Sequence, residues 1–237
     1  VSWKPKPRKK RGMFQAKNRK VKVSKLLSHA IQQIEYKRLE TKNQVVNFAA
    51  TALTGAAYNS LAAGLGNIAQ GVTEATRVGE SITPIGIRFS YTVVNTLTGG
   101  SLYARLIVMC SKNLDNAATS TTVNEIFQDY DRDGLTFTAA SATPNKIITL
   151  PLFNQTLTPV YSRVIKLNAN ASDYRNTGII SGYIPLKGTV KFEGTTGGFG
   201  VQNHIWMIGI VAWAPNTTLA LSTFTVEGTS AFMFKDG

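Results

Sequence analysis

Between Pro84 and Asn95 nearly every second residue is large and apolar: Ile85, Ile87, Phe89, Tyr91 and Val93 alternate with Gly86, Arg88, Ser90 and Thr92. Side chains of an extended chain point to opposite faces in turn, so this spacing predicts a strand with one buried face. A helix would scatter the same five residues around its axis and is excluded there. Further strands are expected at residues 44–53, 102–110, 146–150, 160–168, 183–193, 204–213 and 223–234, separated by turn-rich stretches such as Thr98-Gly99-Gly100 and residues 194–200. Segments 102–110 and 204–213 are apolar on both faces, as expected for strands central in stacked sheets.

About eight strands in residues 43–237, without alternating helices, point to an all-β antiparallel sandwich. The expected connections at 111–145 and 169–182 are long, and no fixed-period repeat runs through the chain. Propellers and short-turn barrels fit that poorly. A single jelly roll, two sheets with long connections at their ends, fits best. An immunoglobulin-like sandwich is the competitor, at about half this length. Before the strands, Leu27, Ala30, Ile31 and Ile34 recur at helical spacing behind Ser24 as N-cap, so one short amphipathic helix is expected over about 24–39.

Charge divides the chain at the same place. Residues 1–42 hold 14 Lys and Arg against Glu35 and Glu40, a net +12, whereas residues 43–237 hold 12 basic and 11 acidic residues, a net +1. We therefore separate a basic arm with its helix (1–42) from a jelly-roll domain (43–237). Lys4, Lys6, Arg8, Lys9, Lys10, Arg11, Lys17, Arg19, Lys20, Lys22 and Lys25 make residues 1–25 a polycation without an acid. Such a segment neutralises phosphates whatever their sequence and releases counterions, so nucleic acid is its expected partner. Trp3 and Phe14 could add base stacking. Residues 4–11 also read as a nuclear-import signal. With its low apolar content, the arm is expected to order only on a partner.

The remainder has only 23 charged residues from 43 to 237, roughly half the density of about 25% usual in soluble domains. Residues 43–73 and 194–226 contain none. Neither run holds 18 consecutive apolar residues, so membrane insertion is not expected. Charge depletion of this kind suits surface that becomes buried between subunits, although an uncharged Thr/Ser/Asn surface on a monomer would read similarly. A chain that begins at Val1 is expected to be processed or incomplete upstream, and residues 1–25 lack the apolar core of a secretory signal.

Enzyme chemistry finds little to work with. Cys110, the one cysteine, sits in an apolar run and reads as a small buried hydrophobe; disulfides and Cys-rich zinc modules are ruled out within the chain. His29 and His204 are too few and too far apart to suggest a zinc cluster. The Gly-rich residues 194–200 lack the Lys-Ser/Thr ending of a phosphate loop. The chain is expected to be no enzyme and to need no cofactor. One motif stays open: Asp129-Tyr130-Asp131-Arg132-Asp133-Gly134 matches the first half of a calcium loop, but Ala140 occupies the twelfth position. Either Asp129, Asp131 and Asp133 bind Ca2+ at a subunit contact, or they form an acidic turn before a strand at Leu135.

Ile68-Ala69-Gln70-Gly71, then Arg77-Val78-Gly79 and Ile82 leading into the strand at 85–94, resembles the segment before the second core strand in capsid proteins of small circular Rep-encoding single-stranded DNA viruses, the circovirus-like viruses. The order of elements is similar too: basic arm, Glu35-Tyr36-Lys37, a strand at 161–167, an apolar strand at 205–213, and a final strand ending Phe232-Met233-Phe234-Lys235-Asp236. The layout also resembles satellite virus capsid proteins. The arm is Lys-rich where many relatives are dominated by Arg, and residues 49–65 form an Ala/Gly/Thr-rich insert. The resemblance implies a T=1 icosahedral homo-oligomer of sixty copies that packages single-stranded nucleic acid, DNA rather than RNA, through its arm. It further implies a virion location, with the host nucleus as assembly site, and identifies no host receptor. The alternatives are a non-viral nucleic-acid-binding β-sandwich and a carbohydrate-binding or adhesin domain.

Overall fold

A strand with one apolar face must bury it against a second layer. The computed structural model, which describes residues 40–55, 58–111, 157–169, 174–192, 205–214 and 223–236, supplies that layer from the same chain. Its described strands are β1 (Thr41–Thr54), β2 (Asn59–Leu65), β3 (Ser81–Asn95), β4 (Leu102–Ser111), β5 (Leu157–Leu167), β6 (Thr177–Pro185), the two-residue β7 (Val190–Lys191), β8 (Ile205–Trp213) and β9 (Thr223–Asp236). One sheet has the order β1-β9-β3-β6, with β7 on the end of β3; the other has β2-β8-β4-β5.

The first strand pairs with the last, β2 with β8, β3 with β6 and β4 with β5, all antiparallel. That nesting is a long hairpin rolled until its halves lie in two sheets, which is the jelly roll. The immunoglobulin-like order is excluded. The inner faces share one core in which Phe89, Tyr91, Phe224, Val226, Phe232 and Phe234 from the first sheet meet Leu106, Val108, Trp206, Ile208 and Ile210 from the second. Trp206 and Phe232 join the sheets with ring centroids 5.1 Å apart. Phe89 meets Tyr161 edge-on at 5.2 Å.

β4 and β8 are neighbours at the centre of the second sheet, and every residue of β8 is buried, as their two apolar faces anticipate. Three expectations are corrected. Ile85 does not share the core face of Ile87 to Val93, because a bulge between Pro84 and Gly86 shifts the register against β9 and leaves Ile85 half-buried. The expected loop at 169–182 ends in β6, and the single strand expected at 183–193 is split into the end of β6 and β7 by a turn with Gly188 at φ +103°. The insert at 49–65 contains the end of β1 and the whole of β2. β2 is poor in bulky residues and irregular, with register breaks on either side of Ala62 and Gly64 at φ +70°. Only pairing with β8 makes it a strand.

The helix expected at 24–39, the strand at 146–150, most of the connection at 111–145 and the Gly-rich residues 194–200 lie outside the described residues.

Candidate functional site: the arm anchor and the exposed sheet edges

The eleven arm cations from Lys4 to Lys25, together with Trp3, Phe14, His29 and His204, lie outside the described residues, as do Asp129, Asp131 and Asp133. No group of three or more His, Cys, Asp or Glu that could hold a metal occurs among the described residues. No described helix is long and apolar enough to cross a membrane. What the structure places is the point where the arm segment joins the sandwich.

Lys42, the last cation of residues 1–42, belongs to β1, and its alternation turns it away from the outer face. Its Nζ lies 2.6 Å from Oδ2 of Asp236 at the end of β9 and donates to the Thr76 carbonyl at 3.0 Å. The Asp236 carboxylate also accepts the Val78 N–H, 3.2 Å from each oxygen. The first strand, the last strand and the 68–79 loop are thereby joined through one largely buried ion pair. Two residues further, Gln44 donates from Nε2 to the Asn67 carbonyl at 3.1 Å and accepts the Gly66 N–H at 2.9 Å.

The loop is closed by its own backbone, with Gly71 N–H donating to the Arg77 carbonyl at 2.8 Å and Arg77 N–H to the Ala69 carbonyl at 3.0 Å. Arg77 is fully buried at its centre. Its guanidinium donates to the carbonyls of Ile68 and Gly79 and lies 4.4 Å from the ring centroid of Phe192. The motif singled out in the sequence is thus a structural clamp. Its burial was not legible there, because an arginine beside Val78 and Gly79 reads as surface until Phe192, over a hundred residues on, is packed against it.

A second buried cation escaped notice for the same reason. Arg105 in β4 donates from Nε to Ser162 Oγ at 2.8 Å, and burial pulls its pKa down from the usual arginine value. Cys110 is half-buried and burial pushes its thiol up to about 11. Burial likewise raises the phenols of Tyr58 and Tyr91. None of these three groups is poised to move a proton at neutral pH. Trp206 and Trp213 are buried, as their apolar strand suggests, and offer no open aromatic platform.

Two features of the first sheet face outward. β1 is a 14-residue edge strand without a charge after Lys42, and Val45, Asn47 and Ala49 to Ala52 are exposed along it. On the opposite edge, β6 exposes Ile179 and Tyr183. Sequence reading missed Tyr183 because it was placed at the start of a strand without a partner.

No protein-family model and no curated protein matches the chain. Among solved structures it is similar to a chain in the structure of infectious bursal disease virus Gx strain, at 8% identity over 83% of this chain and 33% of that one with TM-score 0.30. It is also similar to a chain of sacbrood virus of honeybee (10% identity, 83% and 73% covered, TM-score 0.35) and to one of desmodium yellow mottle tymovirus (9%, 83% and 87%, TM-score 0.26). The chain spans a third of the first of these. Likenesses this distant add nothing to the strand order, which stands on its own pairing.

Proposed function

We propose that this chain is the subunit of a small icosahedral viral capsid that packages a single-stranded genome through residues 1–42. The observation that carries the reading is the joining of a rolled-hairpin jelly roll to an arm of net +12, with a nearly neutral remainder. A 14-residue edge strand, β1, that carries no charge after Lys42 and is exposed along its length supports it. Exposed strand edges pair with other chains unless charge or proline blocks them, and here neither does. Charge-poor sandwiches pack closely without repulsion, while arm charge is neutralised by packaged phosphate. In a T=1 shell, about sixty arms present on the order of 700 positive charges, so assembly is coupled to nucleic acid.

The resemblance of the 68–82 segment favours single-stranded DNA over RNA, and the import-signal pattern of residues 4–11 favours assembly in the host nucleus. Asp129, Asp131 and Asp133 remain candidates for Ca2+ at a subunit contact. We assign no catalytic step to the chain.

The test is negative-stain electron microscopy of the purified particle, with absorbance at 260 and 280 nm read on the same fraction. Uniform shells with a nucleic-acid spectrum are expected; small, nucleic-acid-free species at physiological salt refute the reading. Deleting residues 1–25 is expected to leave the sandwich folded and abolish packaging, so a truncated chain that still protects nucleic acid from nuclease refutes the role of the arm.

A further inference from the structure

On the outer face of the first sheet, Tyr183 of β6 stands directly opposite Arg88 of β3, which in turn faces Ala231 of β9 and, across it, Val45 of β1. The tyrosine ring does not stand up from the sheet. A methyl on Gly86 would lie 2.5 Å from its Cε2 and 2.7 Å from its Cζ, so the ring packs against the bare backbone of that glycine. Its hydroxyl donates to the Ile85 carbonyl at 3.2 Å, which fixes the ring at its far end. Tyr183 is nonetheless 49% exposed. The ring is held against the sheet while about half of the residue stays open to solvent.

Opposed residues on neighbouring strands have Cβ atoms about 5 Å apart, which puts the exposed Arg88 within one nucleotide of the ring. Lys191 and Lys235 lie on the same face, with Glu227 as the acid among its described strand residues. The face also carries Asn43, Asn47, Ser90, Ser181, Thr92 and Thr229, hydrogen-bonding but uncharged, together with the exposed apolar Val45 and Ile179.

We propose that this face is a second nucleic-acid contact, in which an unpaired base stacks on Tyr183 and the adjoining phosphate is met by Arg88. It rests on the genome-packaging reading and adds to it a base-dependent contact on the sandwich itself, separate from the stacking open to Trp3 and Phe14 of the arm. Stacking on an exposed ring tolerates any base, because every base has a π face. The orientation is prepaid by Gly86 and Ile85, which hold the ring before any ligand arrives.

The full chain is titrated, by fluorescence anisotropy, into labelled oligothymidylate and into an abasic deoxyribose-phosphate strand of equal length. Tyr183→Ala is expected to weaken oligothymidylate binding about tenfold and leave the abasic strand unaffected, while Tyr183→Phe, which keeps the ring and loses only its bond to the Ile85 carbonyl, retains most of the parental binding. Arg88→Ala is expected to weaken both strands and flatten the salt dependence by about one ion. Equal loss on both strands in Tyr183→Ala, or no loss, overturns the proposal. So does a defect in particle assembly with base preference unchanged, which would make the face a contact between copies. Binding of a neutral glucan that is lost in Tyr183→Ala, with oligothymidylate binding intact, overturns it in favour of carbohydrate. A parent chain that binds neither strand refutes genome packaging and this contact together; binding without base preference refutes the contact alone.

Discussion

Arg77→Ala should be among the most damaging single substitutions in the sandwich, and its cost follows from what the guanidinium holds. Two carbonyls, those of Ile68 and Gly79, accept from it, and the ring of Phe192 lies 4.4 Å beneath it. A hydrogen bond from a charged donor contributes about 1.5–3 kcal/mol, and a desolvated guanidinium–ring contact about 2 kcal/mol. These contributions do not add, because one side chain makes all of them and its own desolvation opposes them. Removing one partner from a buried charged network typically costs about 3–5 kcal/mol, and that is the expected loss. Arg77→Lys keeps the charge without the fork and should lose about half as much. Urea unfolding of the unassembled chain reads the effect through Trp206 and Trp213, both buried in β8. A loss below about 1 kcal/mol for Arg77→Ala, or an Arg77→Lys variant as stable as the parent, would show that the 68–79 loop is held without the guanidinium fork.

Gly209→Ala would drive a methyl into the ring of Tyr58, so we expect a loss of about 1–3 kcal/mol in the same urea assay; an unchanged midpoint refutes that packing. Asp236→Ala removes both the ion pair with Lys42 and the acceptor of the Val78 N–H. Since the pair is largely but not fully buried, about 2 kcal/mol is expected, with faster hydrogen exchange at Val78; unaltered exchange there argues against the clamp. With its thiol pushed up to about 11, Cys110 should hold about a hundredfold less thiolate than an ordinary cysteine near neutral pH and react correspondingly slowly with a maleimide until the chain unfolds. The folded chain keeps that proton where the unfolded chain releases it. Stability should therefore fall as pH rises from about 9 to 11, and Cys110→Ala should remove that part of the decline.

Local spacing determined much of this protein before any contact was known. The alternation from Ile87 to Val93 specifies a strand and its buried face because side-chain direction in an extended chain depends only on position, and the two-faced apolar runs of β4 and β8 specify their central place for the same reason. The charge division at residue 42 is likewise a property of the chain alone and owes nothing to folding. Tertiary structure decided what depends on a distant partner. β2 is a strand because β8 lies beside it. β6, with Gly178 and Gly182 diluting its alternation, is one because β3 does. Ile85 left the core face because the last strand imposes a bulge on the third. Arg77 is buried because Phe192 and the Ile68 carbonyl converge on it, and Tyr183 packs against the sheet because Gly86, almost a hundred residues earlier, leaves it room. Periodicity is written over a few neighbouring residues, whereas pairing, burial of a charge and the seating of a ring are set by residues that only the rolled hairpin brings together.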